Sequence, residues 1–98
     1  IRSPGIVPSL AIFFYSPLVV HRCGPCRAIK PVYEELSKEY EGIGFGKVDI
    51  DDNQDAAAAF QISSVPTFIF FNGQKPFKAF AGADKAQLES VVKELDEA

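Results

Sequence analysis

Cys23-Gly24-Pro25-Cys26 sets two thiols three positions apart at the start of a helical sequence pattern. On a helix, this spacing places both sulfur atoms on one face, close enough to join in a small disulfide ring. The first thiol then lies near a helix N-terminus, where unpaired N–H groups and the helix dipole favour the thiolate. Because the thiolate is the attacking species in disulfide exchange, the pattern favours redox chemistry. Cys23 is predicted to be the exposed attacking thiol, and Cys26 the partly buried resolving thiol.

Gly24 and Pro25 fit the turn that this chemistry requires. Gly permits close approach and unusual backbone dihedral angles, whereas Pro in the first helical turn gives up an N–H group that has no partner there. The sequence therefore assigns Gly24 and Pro25 to the active-site turn.

The same thiols have two other possible uses. A structural disulfide would close too small a loop to add much stability through chain entropy. Half of a zinc site could recruit His21, but structural zinc needs four ligands and the chain has two Cys and one His. A metal site would therefore need two chains that pool Cys23, Cys26 and His21. We expect redox use, with no metal and no bound cofactor.

Length and composition describe a small domain of ordinary character. The chain has 98 residues, of which 47% are hydrophobic and 23% charged, and this predicts a single domain over residues 1–98. A net charge of −3 without a basic cluster argues against nucleic acid as a partner. The apolar stretch 6–20 contains Pro8 and Pro17 and is too short to span a bilayer. We expect a monomer in the cytoplasm that does not bind membranes.

Apolar runs and amphipathic patterns alternate along the chain and predict an α/β fold. A parallel βαβ unit is followed by an antiparallel hairpin and a covering helix, which gives a mixed sheet with helices on both faces. Residues 1–9 form an irregular lead-in. The predicted strands are 10–15, 43–50, 68–71 and 75–81, and the predicted helices are 25–40, a short helix that ends near 60, and 85–96.

Local signals set several of these boundaries. Pro31 lies inside the first predicted helix and is expected to kink it. The stretch 51–53 offers an N-cap to the second helix, and Asp84 offers one to the third. Asn72-Gly73 is a strong hairpin signal between the last two strands.

In this order the motifs resemble the thioredoxin family, over roughly residues 10–95. The resemblance implies a thioredoxin fold with a βαβαββα core, whose N-terminal strand and helix are shortened or missing here. It also implies an enzyme that reduces protein disulfides, needs no cofactor and is regenerated by a thioredoxin reductase-type electron donor. The matching residues are Cys23-Gly-Pro-Cys-Arg27, Pro31, Lys47-Val-Asp-Ile-Asp51, Val65-Pro66-Thr67, Asn72-Gly73 and Gly82-Ala83.

The resemblance also assigns roles to individual residues. It makes Cys23 the nucleophile that forms a mixed disulfide with a protein substrate, and Cys26 the thiol that resolves it. It implies a cis Val65–Pro66 bond whose neighbouring backbone pairs with the substrate. Gly82 and Ala83 would complete the docking surface; without this role they are a strand end and a helix lead-in.

The chain departs from the family at two positions near the motif. Arg22 stands where the family usually has Trp, and its charge could favour the Cys23 thiolate. The family's buried Asp, which handles the proton of the resolving Cys, is absent: the strand alignment puts Phe13 at its place, and counting back from Cys23 reaches Pro17. His21 could replace it as a proton carrier or be an exposed loop residue, and Lys47 could tune the motif or be a solvated charge. These departures keep a second function open, a catalytically weak binding or adaptor module.

Overall fold

The structure, a computed structural model, describes residues 9–16 and 24–98. The order of the elements is the predicted one, so the α/β fold class is confirmed. The first strand begins at Ser9, one residue inside the stretch predicted to be irregular, and the rest of that stretch lies outside the described residues. The elements are β1 Ser9–Tyr15, α1 Gly24–Glu39, β2 Ile43–Asp49, α2 Gln54–Ala59, β3 Thr67–Asn72, β4 Lys75–Ala81 and α3 Lys85–Glu97.

The four strands form one mixed sheet in the order β2-β1-β3-β4. β1 pairs with β2 in parallel and with β3 in antiparallel orientation, and β3 continues into the antiparallel β4. The consecutive residues Phe13 and Phe14 point to opposite faces of the sheet, and both are buried. The unbroken apolar run of β1 is therefore that of a central strand covered on both sides.

The main core lies between one face of the sheet and the helices α1 and α3. Phe13 is its centre, with ring centroids 4.9 Å from Phe68 and 5.1 Å from Tyr33. The amphipathic patterns of residues 85–96 and 25–40 each turn an apolar face to the sheet: that of α3 is buried, and that of α1 is buried or partly buried. The buried helix residues are Ile29, Tyr33, Leu36, Leu88, Val91, Val92 and Leu95.

α2 lies on the other side of the sheet and covers it thinly. The ring of Phe60, which follows α2, lies 5.5 Å from Phe14 and 6.3 Å from Phe71, yet Phe60 is 42% exposed. No residue of α2 itself is buried. Helices therefore lie on both faces, as predicted, but the apolar core is concentrated on the side of α1 and α3.

Two of the predicted local signals act differently from expectation. Asn53 occupies the N-cap position of α2, but its side chain makes no capping hydrogen bond and donates to the Asp49 carbonyl instead. In the hairpin, Asn72 still pairs with Lys75, so the two-residue loop is Gly73-Gln74 and not Asn72-Gly73. Gly73 has φ of 66°, a conformation that Gly adopts at no steric cost. The hairpin and the Asp84 cap, which accepts from the Gln87 N–H, are both present.

Tyr33 ties α1 to the two parallel strands. Its hydroxyl lies 3.0 Å from the Ala11 carbonyl oxygen and 2.6 Å from that of Gly46, and its proton is shared between these acceptors. Burial raises the pKa of the Tyr33 hydroxyl above its ordinary value, because a phenolate would lose its hydration there. The folded state therefore keeps this proton at a pH where the unfolded chain has lost it.

We expect burial of the Tyr33 hydroxyl to make the fold sensitive to alkali. Above about pH 10 the unfolded state ionises Tyr33 while the folded state does not, so the free energy of unfolding falls by up to about 1.4 kcal/mol per pH unit. Tyr33→Phe should cost about 1 kcal/mol at pH 7 and show a shallower decline above pH 10. Urea unfolding of both proteins from pH 7 to 11 measures the difference. Equal slopes of the free energy of unfolding against pH in the two proteins would contradict the assignment of this alkaline sensitivity to Tyr33.

Candidate functional site

One edge of the sheet collects the ends of several elements. The carboxyl ends of the parallel strands β1 and β2 lie there, and the antiparallel β3 begins there because Phe14 pairs with Thr67. β4 ends at the same edge, since Ala81 also pairs with Thr67. This carboxyl edge is where open α/β sheets place ligands and catalytic groups.

α1 also begins at the carboxyl edge. Its last residue, Glu39, is separated from Ile43 at the start of β2 by a short turn, so the C-terminal end of α1 lies at the opposite edge. The helix has 16 residues and spans about 24 Å, which carries its first turn across the sheet. The first-turn N–H groups of such a helix have no intrahelical partners and favour a nearby anion.

The structure describes the backbone of three of the four residues of the two-thiol motif. Gly24, Pro25 and Cys26 are the first three residues of α1. Cys23 immediately precedes them in the sequence and lies outside the described residues, as do His21 and Arg22. The roles of these side chains remain predictions, whereas the helical start that the motif predicts is present.

The segment before β3 and the segment after β4 are joined at this edge. The Val65–Pro66 peptide bond is cis, and Pro66 is buried. The Gly82 N–H donates to the Pro66 carbonyl oxygen at 2.8 Å. Gly82 has φ of 105°, a backbone conformation that residues other than glycine rarely adopt. Ala83 is half-buried against the core, so the four residues expected at the docking surface form one continuous stretch of the edge.

Lys47 has a partner in the structure, and that partner lies on α1. Its ammonium is 3.3 Å from the Glu34 carboxylate, and about two-fifths of the Lys47 side chain is exposed. Glu34 lies about 12 Å along the helix axis from Cys26, at 1.5 Å per residue. The geometry fits the solvated strand charge, and a tuning role for Lys47 remains a prediction.

Phe13 is the residue that the strand alignment of the resemblance puts at the position of the family's buried Asp. It is 1% exposed, pairs in register with Lys47 and Phe68, and contacts aromatic rings. Within residues 9–16 and 24–98, Ser16 is the one buried polar or charged residue, so no Asp or Glu of these ranges is buried. The core next to α1 thus offers no internal carboxylate from the described residues.

Ser16 and Asp51 form a pair at the carboxyl edge that the sequence analysis did not single out. The Ser16 hydroxyl donates to the Asp51 carboxylate, with 2.5 Å between Oγ and Oδ2. Each residue follows one of two adjacent parallel strands, and this correspondence is the signal that could have revealed the pair.

Among residues 9–16 and 24–98, no three His, Cys, Asp or Glu side chains are arranged to hold a metal ion. Within the same ranges, no helix has the length and apolar character needed to cross a membrane.

Comparisons with known proteins agree with this geometry. The sequence profile of the Thioredoxin family matches residues 9–94. Thioredoxin of Ovis aries is 44% identical over 73 residues, which is 74% of this chain and 70% of that protein. Thioredoxin of Homo sapiens is 42% identical over 73 residues, with the same coverage of both chains. The X-ray structure of Fasciola hepatica thioredoxin superimposes with a TM-score of 0.81 at 34% identity, covering 89% of this chain and 80% of that one.

Proposed function

The chain belongs to the thioredoxin family, and on that premise we propose that it reduces protein disulfides through the dithiol of Cys23 and Cys26. Family and fold support a thiol–disulfide oxidoreductase in general. The dithiol cycle, the roles of the two thiols and the protein substrates are the finer content of the proposal. The observation that carries it is the start of α1 at Gly24, which puts Cys26 in the first helical turn at the carboxyl edge.

The proposed cycle conserves electrons through two exchanges. The Cys23 thiolate attacks a substrate disulfide, so that a Cys23–substrate bond forms and one substrate sulfur leaves as a thiolate that takes up a proton. Cys26, once deprotonated, attacks the Cys23 sulfur; the Cys23–Cys26 disulfide forms and the second substrate thiol is released. The substrate gains two electrons, and a thioredoxin reductase-type donor returns two electrons to the protein.

The docking surface is the stretch that joins Val65-Pro66 to Gly82-Ala83. Exposed backbone beside a strand end can pair with an extended segment of a substrate protein. The hydrogen bond from Gly82 to Pro66 fixes the two parts of this surface relative to each other, which supports its use as a rigid platform.

The resolving step lacks a carboxylate from the described core. Phe13 cannot accept a proton, so the proton of Cys26 must leave by another route, for which His21 is the candidate in the sequence. This supports a slow resolving step. It also favours a second candidate function, a binding or adaptor module that holds its partner through the same edge.

The proposed setting follows from the chemistry. A dithiol reductant works where thiols are kept reduced, so we propose a cytoplasmic location and action as a monomer with protein substrates. The cycle itself uses no metal and no bound cofactor.

The test is reduction of insulin disulfides driven by dithiothreitol, with Cys23→Ser as the inactive control. We expect the wild-type chain to accelerate the reaction and Cys23→Ser to lose this acceleration by roughly a thousandfold. Circular dichroism must show that both proteins are folded. A folded wild-type chain that performs no better than Cys23→Ser would exclude the enzyme and leave the adaptor.

A further inference from the structure

A groove, which we call the β3–β4 groove, lies between the segment 60–64 and the strands β3 and β4. Its volume is about 260 Å³. The register of the strands gives its floor, because every second residue of a strand points to the same side of the sheet. Thr67 pairs with Ala81 at the carboxyl edge, and the next pair on that side is Ile69 with Ala79. The segment 60–64 forms the wall of the groove.

The wall is held at both of its ends. At the start, the Ile62 N–H donates to the Ala57 carbonyl of α2 at 2.9 Å, and Gln61 has φ of 55°, which is the pattern of a Schellman motif. At the end, the Thr67 hydroxyl donates to the Ser64 carbonyl at 2.7 Å. Because Thr67 belongs to the floor, this bond joins the wall to the floor. The groove is therefore formed before a ligand enters, which lowers the entropic cost of binding.

The β3–β4 groove offers apolar contact without charge. None of the described residues that line it is charged. Phe60 is 42% exposed, and Ile62 and Ile69 are half-buried. An apolar cavity of about 150 Å³ can hold a benzene ring in another protein, so this groove can admit one aromatic or large aliphatic side chain. A charged side chain would lose hydration there and gain no partner from the described residues.

The groove is continuous with the docking surface of the proposed function. Ser64 immediately precedes Val65, and Ala81 immediately precedes Gly82, so the lining of the groove continues into both parts of that surface. Two residues of an extended chain span about 7 Å. A substrate segment that pairs with the docking surface can therefore place a neighbouring side chain in the groove.

We propose that the β3–β4 groove is a substrate subsite for a large apolar side chain. This side chain belongs to the extended segment of the protein substrate that pairs with the docking surface. The identity of the occupant rests on the proposed function, whereas the groove itself rests on the contacts above. The substrates of this chain would thus be disulfide proteins with an aromatic or large aliphatic residue near the reduced disulfide.

The test uses two synthetic peptide disulfides that differ at one position, with Phe in one and Ser in the other. This position is scanned from the first to the fourth residue on either side of the cysteine, and dithiothreitol-driven turnover gives kcat and KM. Ala79→Glu puts a charge on the exposed floor of the groove, and Phe60→Ser removes an apolar side chain from its wall. Gln74→Glu is the matched control, because it adds the same charge in the exposed hairpin at the other end of β4.

We expect the wild-type chain to prefer the Phe peptide to the Ser peptide about tenfold in kcat/KM at one of the scanned positions. The preference should arise through KM, because partial burial of a Phe side chain stabilises the bound peptide by this factor. Ala79→Glu and Phe60→Ser should each reduce the preference to less than about threefold. Gln74→Glu should keep it.

Different failures point to different errors, once circular dichroism shows that the proteins are folded. Equal use of both peptides at every position by an active wild-type chain would overturn the subsite and leave the proposed function standing. An unchanged preference in Ala79→Glu and Phe60→Ser, or an equal loss in Gln74→Glu, would also overturn the subsite. A wild-type chain with no turnover on any peptide would refute the proposed function. Fluorescence anisotropy of the labelled peptides would then decide the subsite alone: tighter binding of the Phe peptide would support it, and equal binding would overturn it.

Discussion

Cys26→Ser is expected to hold the substrate on Cys23 as a mixed disulfide. Serine fits the space of the thiol but cannot attack a sulfur, so the first exchange proceeds and the second does not. Turnover of insulin should fall by roughly a thousandfold. A non-reducing gel or an intact-mass spectrum should show a covalent adduct approaching one substrate chain per protein, which dithiothreitol then removes.

The matched control for this trap is the double substitution Cys23→Ser with Cys26→Ser. It should form no adduct at all, because the attacking thiol is gone. An adduct that forms equally well in Cys23→Ser alone would reverse the two roles. No adduct in any variant, with all proteins folded, would favour the adaptor.

The resolving step of the wild-type chain gives a second test of the proposed cycle. If the proton of Cys26 has no efficient acceptor, the mixed disulfide should persist long enough to be caught by acid quenching during turnover. No carboxylate is buried among the described residues, so under the proposed mechanism we expect attack by Cys23 to be faster than release of the substrate.

The elements that bury apolar surface were predictable from the sequence. The run that became β1 is recognised by its unbroken apolar character, which is typical of a central strand. The stripe at Leu88, Val91, Val92 and Leu95 is recognised by its helical periodicity, because burial of one face dictates the spacing. The Asp84 cap was also predictable, because its hydrogen bond joins residues only three positions apart in the chain.

Contacts between distant parts of the chain were not predictable in this way. Ser16 and Asp51 are joined by the register of two strands, and no local pattern marks either residue as a partner. Lys47 likewise finds Glu34 across the helix–sheet boundary. Asn53 was expected to cap a helix, but its amide bonds to the Asp49 carbonyl, a competing local acceptor. Polar placement depends on tertiary geometry more than apolar placement does.

Phe13→Asp is expected to unfold the domain or to destabilise it strongly, although the strand alignment gives Asp as the family's usual residue at this position. Phe13 is 1% exposed and stacks on Phe68 at 4.9 Å beside Tyr33. Loss of the ring leaves a cavity, and the carboxylate finds no hydration in an aromatic cluster. Together these effects should lower the free energy of unfolding by at least about 4 kcal/mol, a large part of the roughly 5–15 kcal/mol typical of such domains.

Phe13→Leu separates the two causes. It keeps an apolar side chain in the same place and should lower the free energy of unfolding by no more than about 2 kcal/mol. The rate at which iodoacetamide labels Cys23 should not change. Urea unfolding followed by circular dichroism measures both variants. A stable Phe13→Asp protein with faster release of substrate would contradict the packing argument, because it would show a site ready to accept a carboxylate. The expected loss of stability would instead mean that the core of this chain is packed around an aromatic ring at position 13 and cannot accommodate a carboxylate there. In the proposed cycle, the proton of Cys26 would then have to leave through a group other than residue 13.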